Sequence, residues 1–221
     1  MKKTKIFIAC DTTNLVKVKK IINQSKTNKI KIGYKFGLEF MNSKNGRTFL
    51  AKLRKKIIFV DLKLNDTVNT MLSAVKALKD IKINYLTVHI SSGLAALKAV
   101  KKISGPTKIV GVTTLTSLNN NDLKLIGYNK SVKNLVAHQA KLAKKANLDA
   151  LVCSPYEVNA VRKIFKKEII TPGVQIGKRN YDQKRSMEAK KVESDWLVIG
   201  RAITARGNIK KNIQNLAKEL R

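Results

Sequence analysis

Acidic residues are scarce in this sequence. Asp and Glu together number 14 of 221 residues, against 46 Lys and Arg, which gives a formal net charge of +32 at pH 7. Such a charge can attract nucleic acid, because basic side chains neutralise phosphates. However, the lysines are spread along the chain without a basic tail, and aromatic residues, which could stack on bases, make up only 5%. The sequence therefore argues against nucleic acid as the main partner, whereas its positive field favours small anions.

Cysteine and long hydrophobic runs are also rare. The two cysteines, Cys10 and Cys153, have no C-x-x-C spacing and predict buried free thiols in a reducing compartment. The apolar run at residues 6–10 is too short for the core of a signal peptide. No run approaches the roughly 20 apolar residues that a membrane-spanning helix needs. We therefore expect a soluble, cytoplasmic protein.

The chain does contain a repeated alternation of two kinds of segment. Short apolar segments predict eight strands, at residues 6–10, 30–34, 57–62, 85–90, 109–115, 150–153, 169–174 and 196–199. Amphipathic segments between them predict helices, among others at residues 68–78, 94–103, 132–146 and 158–165. The stretch 116–130 fits neither pattern and is predicted to be an irregular, mobile lid. The alternation predicts an α/β fold, a (β/α)8 TIM barrel forming a single domain over residues 1–221, with an open doubly wound sheet as the alternative.

One predicted strand runs directly into acidic and basic residues. Residues 57–60 are apolar, and Asp61, Lys63 and Asp66 follow at spacings of two and three. If the strand continues through Lys63, side-chain alternation places Asp61 and Lys63 on the same face, with Asp66 on the loop beyond. The spacing alone is compatible with a simple ion pair at the end of a strand or with a catalytic group.

The ends of the other predicted strands favour the catalytic interpretation. In a (β/α)8 barrel the active site lies at the C-terminal ends of the strands, and a phosphate site often forms after strands seven and eight. Glycine lets backbone N–H groups approach an anion, and arginine offers a forked donor. Charged residues, hydroxyl residues, a glycine and an arginine occupy the predicted strand ends: Asp11, Lys35, Asp61, Lys63, Thr116, Ser154, Gly200 and Arg201, with Gln183 in the loop after the seventh strand.

The motifs at these strand ends resemble those of the orotidine 5'-phosphate decarboxylase family. They follow the family's order over nearly the whole chain: Asp11, Lys35-Phe36-Gly37, Asp61-Leu62-Lys63-Leu64-Asn65-Asp66, Leu115-Thr116-Ser117, Val152-Cys153-Ser154, Thr171-Pro172-Gly173, Asp182-Gln183 and Val198-Ile199-Gly200-Arg201. The resemblance implies decarboxylation of orotidine 5'-monophosphate to uridine 5'-monophosphate in pyrimidine biosynthesis, with no metal and no organic cofactor. It also implies a homodimer with shared active sites.

The resemblance further implies a role for each matching residue. Lys35, Asp61, Lys63 and Asp66 would form the catalytic charged network, with Asp66 reaching into the site of a partner subunit. Substrate contacts would come from Asp11 and Lys35 to the ribose, Asp61 to the carboxylate, Thr70 across the dimer, Thr116 near the pyrimidine, Gln183 to base and phosphate, and Gly200 and Arg201 to the phosphate.

Sister barrel enzymes that act on sugar phosphates share the D-x-K-x-x-D core and form the alternative. The metal-dependent 3-keto-L-gulonate 6-phosphate decarboxylases place an acid at the end of the second strand, where this sequence has Lys35. Gln175 stands where many bacterial members of the decarboxylase family carry an arginine, which removes one expected phosphate contact. His89 and His138 have no third ligand at metal spacing and predict structural or surface positions.

Overall fold

A computed structural model describes residues 5–175, 187–204 and 207–220. Within these ranges, eight parallel strands close into a barrel in the order β1-β10-β7-β6-β5-β4-β3-β2. Its strands are β1 (Lys5–Ala9), β2 (Lys31–Gly37), β3 (Ile57–Leu64), β4 (Tyr85–His89), β5 (Lys108–Val112), β6 (Ala150–Val152), β7 (Glu168–Thr171) and β10 (Trp196–Ile199). Two further strands, β8 (Val174–Gln175) and β9 (Met187–Glu188), form a separate small sheet. The closed barrel confirms the predicted (β/α)8 architecture over the open sheet.

Each barrel strand lies within a few residues of its predicted position, with two informative differences. β2 continues to Gly37 and β3 to Leu64, so Lys35 and Lys63 lie inside strands rather than beyond them. β5 ends at Val112 instead of continuing to residue 115, because the residues paired with Val112 on both sides are also the last of their strands.

Helices connect the strands and pack around the barrel. They are α1 (Leu15–Gln24), α2 (Leu38–Met41), α3 (Gly46–Lys52), α4 (Val68–Ala77), α5 (Gly93–Ile103), α6 (Asn120–Leu125), α7 (Val132–Lys145), α8 (Val158–Ile164), α9 (Arg201–Thr204) and α10 (Ile209–Glu219). Four of them, α4, α5, α7 and α8, occupy the predicted helical segments. In the described part of the chain, no helix combines the length and the apolar character needed to cross a membrane.

The segment at residues 116–130 differs from its prediction, because α6 lies within it. The Asn119 side chain accepts hydrogen bonds from the backbone N–H groups of Asn121 at 2.8 Å and Asp122 at 3.0 Å. The Asp122 carboxylate accepts one in return from the backbone N–H of Asn119 at 2.8 Å. This reciprocal capping box starts a helix that is too short to show an amphipathic period in the sequence.

Aromatic side chains fill the N-terminal part of the barrel interior. Phe7 stacks on Trp196 with ring centroids 4.0 Å apart, and Phe59 and Tyr85 lie 4.9 and 5.2 Å from Phe7. Gly33 on β2 makes room for this cluster, since a Cβ there would lie 2.6 Å from the Phe7 ring. These rings fill the N-terminal part of the interior, and a cavity opens toward the C-terminal ends of the strands.

The carboxylate of Glu168, the first residue of β7, closes the N-terminal end of the barrel. It forms salt bridges with Lys5 at 3.3 Å and Lys108 at 2.8 Å. It also accepts hydrogen bonds from the Tyr85 hydroxyl at 2.9 Å and the Trp196 indole N–H at 3.4 Å. Burial opposes ionisation of Glu168, but these donors outweigh it and hold its pKa below the ordinary value.

Candidate active site

A cavity of about 360 Å³ opens at the C-terminal end of the barrel. Its apolar floor is formed by Phe59, Val112, Val152 and Val198. The predicted site residues that line it are Asp11, Lys35, Asp61, Lys63, Thr116, Gly200 and Arg201. The fold therefore brings together side chains from five different strand ends, as the barrel architecture requires of an active site.

Asp61 lies between two lysines at the base of this cavity. Lys63 Nζ donates hydrogen bonds to both carboxylate oxygens of Asp61 at 3.0 Å. Lys35 Nζ lies 3.5 Å from Asp61 Oδ2 and 3.0 Å from Asp11 Oδ1. The side chains of Lys35 and Asp61 are only 12% and 13% exposed, whereas that of Lys63 is 35% exposed and faces the open space. The result is a row of alternating charges: Asp11, Lys35, Asp61 and Lys63.

This alternation keeps the buried members of the row charged. Burial opposes ionisation of Asp61, but the positive charges of Lys35 and Lys63 outweigh it and hold the pKa of Asp61 below its ordinary value. Burial likewise opposes protonation of Lys35, but the negative charges of Asp61 and Asp11 raise its pKa overall. The cavity therefore presents fixed charges of both signs to anything that enters it.

The pairing of Asp61 with Lys63 does not arise from regular strand alternation. The register between β3 and β4 shifts between Val60 and Leu64, and Lys63 has a left-handed backbone with φ of 51°. Thr87 on β4 contacts both residues, through its hydroxyl to Asp61 Oδ1 at 3.0 Å and to the backbone N–H of Lys63 at 2.8 Å. The predicted meeting of Asp61 and Lys63 is confirmed, and β3 does continue through Lys63, but with an irregular register instead of regular alternation.

Asp66 and Thr70 lie outside the residues that line this cavity. The Asp66 carboxylate is exposed and accepts a hydrogen bond from the backbone N–H of Thr67 at 2.7 Å. Thr70, in the first turn of α4, has its hydroxyl 3.1 Å from that of Thr67. In the described part of the chain, both side chains make these contacts within their own segment, and the predicted action across a dimer stays a prediction.

Thr116 lies on the loop after β5, and a residue that the sequence did not single out holds the start of this loop. The Gln139 side-chain oxygen, on α7, accepts hydrogen bonds from the backbone N–H of Thr114 at 2.8 Å and from its hydroxyl at 3.1 Å. Gln139 is buried, and Thr114 lines the cavity beside Thr116. A polar residue on a helix face carries no sequence signal that it reaches a strand end.

Gly200 and Arg201 line the cavity at the end of β10 and the start of α9, and β10 lies three strands from β3 around the barrel. Gly173, at the turn between β7 and β8, also lines the cavity and has a φ of 75° that favours glycine. Phosphate binding by Gly200 and Arg201 stays a prediction. Gln183, like the side chain of Gln175, lies outside the described part of the chain.

The histidines and cysteines occupy the predicted structural positions. His89 is half-buried at the end of β4, where burial and the nearby charge of Lys63 lower its pKa, and His138 is exposed on α7. Cys10 and Cys153 are buried and not disulfide-bonded, and burial raises the pKa of Cys10 to about 12. Over residues 5–175, 187–204 and 207–220, no three His, Cys, Asp or Glu side chains are grouped so that they could hold a metal ion.

Comparison with known proteins gives the same family as the motifs. Residues 4–216 match the family described as orotidine 5'-phosphate decarboxylase / HUMPS. An orotidine 5'-phosphate decarboxylase of Wolbachia pipientis subsp. Culex pipiens (strain wPip) is 38% identical over 97% of this chain and 98% of its own length. One from Sphingopyxis alaskensis is 41% identical over 78% of this chain and 80% of its own length.

Solved structures agree with these sequence matches. A crystal structure of orotidine 5'-phosphate decarboxylase from Lactobacillus acidophilus has a TM-score of 0.84 and 28% identity, covering 98% of this chain and 99% of that one. A structure of orotidine 5'-monophosphate decarboxylase from Methanocaldococcus jannaschii, complexed with the inhibitor BMP, has a TM-score of 0.79 at 21% identity and supports the fold alone. The chain therefore belongs to the orotidine 5'-phosphate decarboxylase / HUMPS family.

Proposed function

We propose that this protein decarboxylates orotidine 5'-monophosphate to uridine 5'-monophosphate and CO2, without a metal or an organic cofactor. The observation that carries the proposal is the row of alternating charges in which Lys63 Nζ lies 3.0 Å from both oxygens of Asp61 and faces the cavity. Family membership, with relatives of that name covering nearly the whole chain, supports the same reaction.

The chemistry places a specific demand on the site. When the bond from C6 of the pyrimidine to its carboxyl carbon breaks, CO2 leaves and the electron pair stays on C6, where the ring delocalises it poorly. A fixed ammonium at C6 stabilises the developing negative charge and then supplies the proton that completes the product. Lys63 is suited to both tasks, because its amine is anchored by Asp61 and remains exposed to the cavity.

Asp61 and Lys35 have complementary roles in this proposal. The ionised carboxylate of Asp61 faces the position of the substrate carboxylate, so the loss of CO2 removes a repulsion while the Lys63 charge remains. Lys35 neutralises the other side of Asp61 and, together with Asp11, offers a donor and an acceptor to the ribose hydroxyls. Lys35 also distinguishes this site from the sugar-phosphate alternative, for which we find no support.

The far side of the cavity supplies binding energy for the rest of the nucleotide. Arg201 and the backbone at Gly200 are proposed to bind the 5'-phosphate, Thr116 to lie beside the pyrimidine, and Gln183 to bridge base and phosphate. Contacts remote from the reacting carbon order the site around the substrate and thereby support catalysis.

We further propose that the active unit is a homodimer in which Asp66 and Thr70 complete the partner's site. The supporting observation is that Asp66 is exposed and does not line the cavity of its own chain. In the dimer, Asp66 would add a second acid beside Lys63 and continue the alternation of charges. A role in pyrimidine biosynthesis in the cytoplasm follows from the proposed reaction.

The direct test is to follow the absorbance of orotidine 5'-monophosphate with purified protein in the presence of EDTA. Steady loss of substrate absorbance with formation of uridine 5'-monophosphate is the expected result. No turnover with EDTA, together with Mg2+-dependent decarboxylation of a sugar phosphate, would instead identify the sister activity.

A further inference from the structure

Thr87 is a buried residue whose hydroxyl contacts both Asp61 and Lys63. It lies in β4 with no exposed surface. Its Oγ1 lies 2.8 Å from the backbone nitrogen of Lys63 and 3.0 Å from Asp61 Oδ1. We propose that Thr87 is a positioning residue for decarboxylation, which holds Lys63 Nζ and the Asp61 carboxylate in their reactive arrangement. The proposal rests on the proposed function for the role of Lys63.

The direction of both hydrogen bonds is fixed by the chemistry of the partners. A backbone N–H can only donate, so Lys63 donates to the Thr87 oxygen. An ionised carboxylate can only accept, so the Thr87 hydroxyl proton points to Asp61. A closed ring results: from the Lys63 backbone to Thr87, to the Asp61 carboxylate, and back to Lys63 through its own amine.

The geometry of β3 explains why this ring needs a side chain from β4. Val60 pairs with Leu86 and Leu64 pairs with Val88, so the three residues 61–63 of β3 stand opposite Thr87 alone. Two residues of β3 therefore have no counterpart in the ladder at this point, as in a β-bulge. The Thr87 hydroxyl accepts from the backbone N–H of Lys63, which this irregularity removes from the ladder.

The same bulge gives Lys63 its unusual backbone. Its φ of 51° is one that residues with a side chain seldom adopt, and such conformations persist only where the surroundings hold them. Thr87 is one of these supports, because it fixes the backbone nitrogen on which φ depends. If the hydroxyl is removed, the backbone from which the Lys63 side chain extends loses a hydrogen bond that fixes its position. The charge of the amine remains.

The test compares Thr87→Val with Thr87→Ser. Valine has nearly the same shape but leaves the Lys63 N–H without its acceptor and Asp61 without one donor. Serine retains the hydroxyl. We expect Thr87→Val to lower kcat by about 10- to 100-fold, with the dissociation constant of uridine 5'-monophosphate changed by less than about threefold, and Thr87→Ser to recover kcat to within about threefold of the wild type.

Thr113→Val serves as the matched control. Thr113 is also a buried threonine beside the barrel, but its hydroxyl donates to the backbone carbonyl of Val152 at 2.8 Å, outside the charged row. The Thr113→Val variant should therefore leave kcat nearly unchanged. A Thr87→Val protein with wild-type kcat would overturn the proposal. So would a loss of kcat that Thr87→Ser fails to restore, since that pattern indicates a general packing role.

A second readout does not depend on the reaction. Hydrogen exchange of the Lys63 amide, measured without substrate, should become at least tenfold faster in Thr87→Val and remain unchanged in Thr113→Val. If the wild-type protein failed to decarboxylate orotidine 5'-monophosphate but this exchange result held, the proposed function would be wrong while Thr87 still held Lys63. If exchange of the Lys63 amide were unchanged in Thr87→Val, Thr87 would not be the residue that holds the Lys63 backbone.

Discussion

Lys63 Nζ lies 3.0 Å from each carboxylate oxygen of Asp61, although the two residues are separated by only one position in a strand. This symmetric contact depends on the irregular backbone between Val60 and Leu64 and on the left-handed φ of Lys63. The amine is therefore held by its own strand at a fixed point in the cavity. Preorganisation of this kind is what an ammonium needs in order to stabilise a short-lived carbanion.

The first prediction concerns Lys63 itself. Replacing it by alanine removes both the charge at C6 and the proposed proton donor, so Lys63→Ala should reduce kcat by at least 1,000-fold, or about 4 kcal/mol of transition-state stabilisation. Binding of uridine 5'-monophosphate, measured by calorimetry, should largely survive because its phosphate and ribose contacts remain. Lys133→Ala, which removes an exposed lysine on α7, is the matched control and should leave both quantities unchanged. Retention of a tenth of wild-type kcat in Lys63→Ala would exclude this lysine from the chemistry.

The second prediction concerns Arg201 and the phosphate. Arg201→Ala should lower kcat/KM for orotidine 5'-monophosphate by about 30- to 5,000-fold. This corresponds to a loss of about 2–5 kcal/mol of transition-state stabilisation, the range for truncating one partner of a buried charge pair. Orotidine, which lacks the phosphate, should be processed almost equally by the variant and the wild type. The comparison of the two substrates on both proteins separates phosphate binding from folding. Equal losses on both substrates would assign Arg201 a structural role.

How far the sequence predicts this molecule depends on whether a feature is local. The eight strands are predicted because each is a short apolar run, and the charged strand ends are predicted because acidic residues, which are scarce in this composition, stand beside basic ones directly after apolar runs. Thr87 and Gln139 could not be predicted, since a threonine in a strand is an ordinary β-former and a glutamine on a helix is an ordinary surface residue. Their partners, Lys63 and Thr114, are 24 and 25 residues away in the chain.

The bulge in β3 is another feature that the sequence does not disclose. Asp61 and Lys63 meet as predicted, but the sequence could not reveal that a non-glycine residue adopts φ of 51°, because pairing with β4 imposes that conformation. The helix α6 was missed for the opposite reason. Its capping box, Asn119 with Asp122, is local, but six residues give too little periodicity to identify a helix.

The third prediction concerns pH and the closed end of the barrel. The pKa of Glu168 is lowered in the folded protein, so below its usual value of about 4.3 the unfolded chain takes up the proton first. The stabilising contribution of Glu168 is therefore fully present at neutral pH and is lost as the pH falls below about 4. Glu168→Gln should lower the free energy of unfolding at pH 7 by about 1.5–3 kcal/mol, the range for a hydrogen bond to a charged group.

Urea unfolding of both proteins between pH 3 and pH 7 checks this prediction. Because glutamine does not titrate, the difference between wild type and Glu168→Gln should shrink as the solution is acidified. Glu188→Gln is the matched control, since Glu188 pairs with Lys191 at 3.2 Å but its side chain is 48% exposed. An exposed pair contributes about 0–1 kcal/mol. A difference at Glu168 that stayed constant down to pH 3 would contradict the assigned direction of its pKa.

The last prediction concerns which subunit of the dimer supplies Asp66 to each active site. Asp66 lies three residues after Lys63, yet it is exposed and does not line the cavity that Lys63 faces. If it completes the site of a partner, Lys63→Ala and Asp66→Ala damage different chains of the same site. Each homodimeric variant should then be nearly inactive, since every site in it carries one lesion.

Mixing the two inactive variants and allowing subunit exchange separates the shared site from a self-contained one. In a hybrid dimer with shared sites, one site receives both lesions and the other receives neither. Random exchange makes about half of the dimers hybrids, so roughly a quarter of the wild-type activity should return, because only one site in each hybrid is intact. If both residues served the same chain's site, every hybrid site would still hold one lesion. Native mass spectrometry that detects hybrids without any recovery of activity would therefore defeat the shared-site proposal.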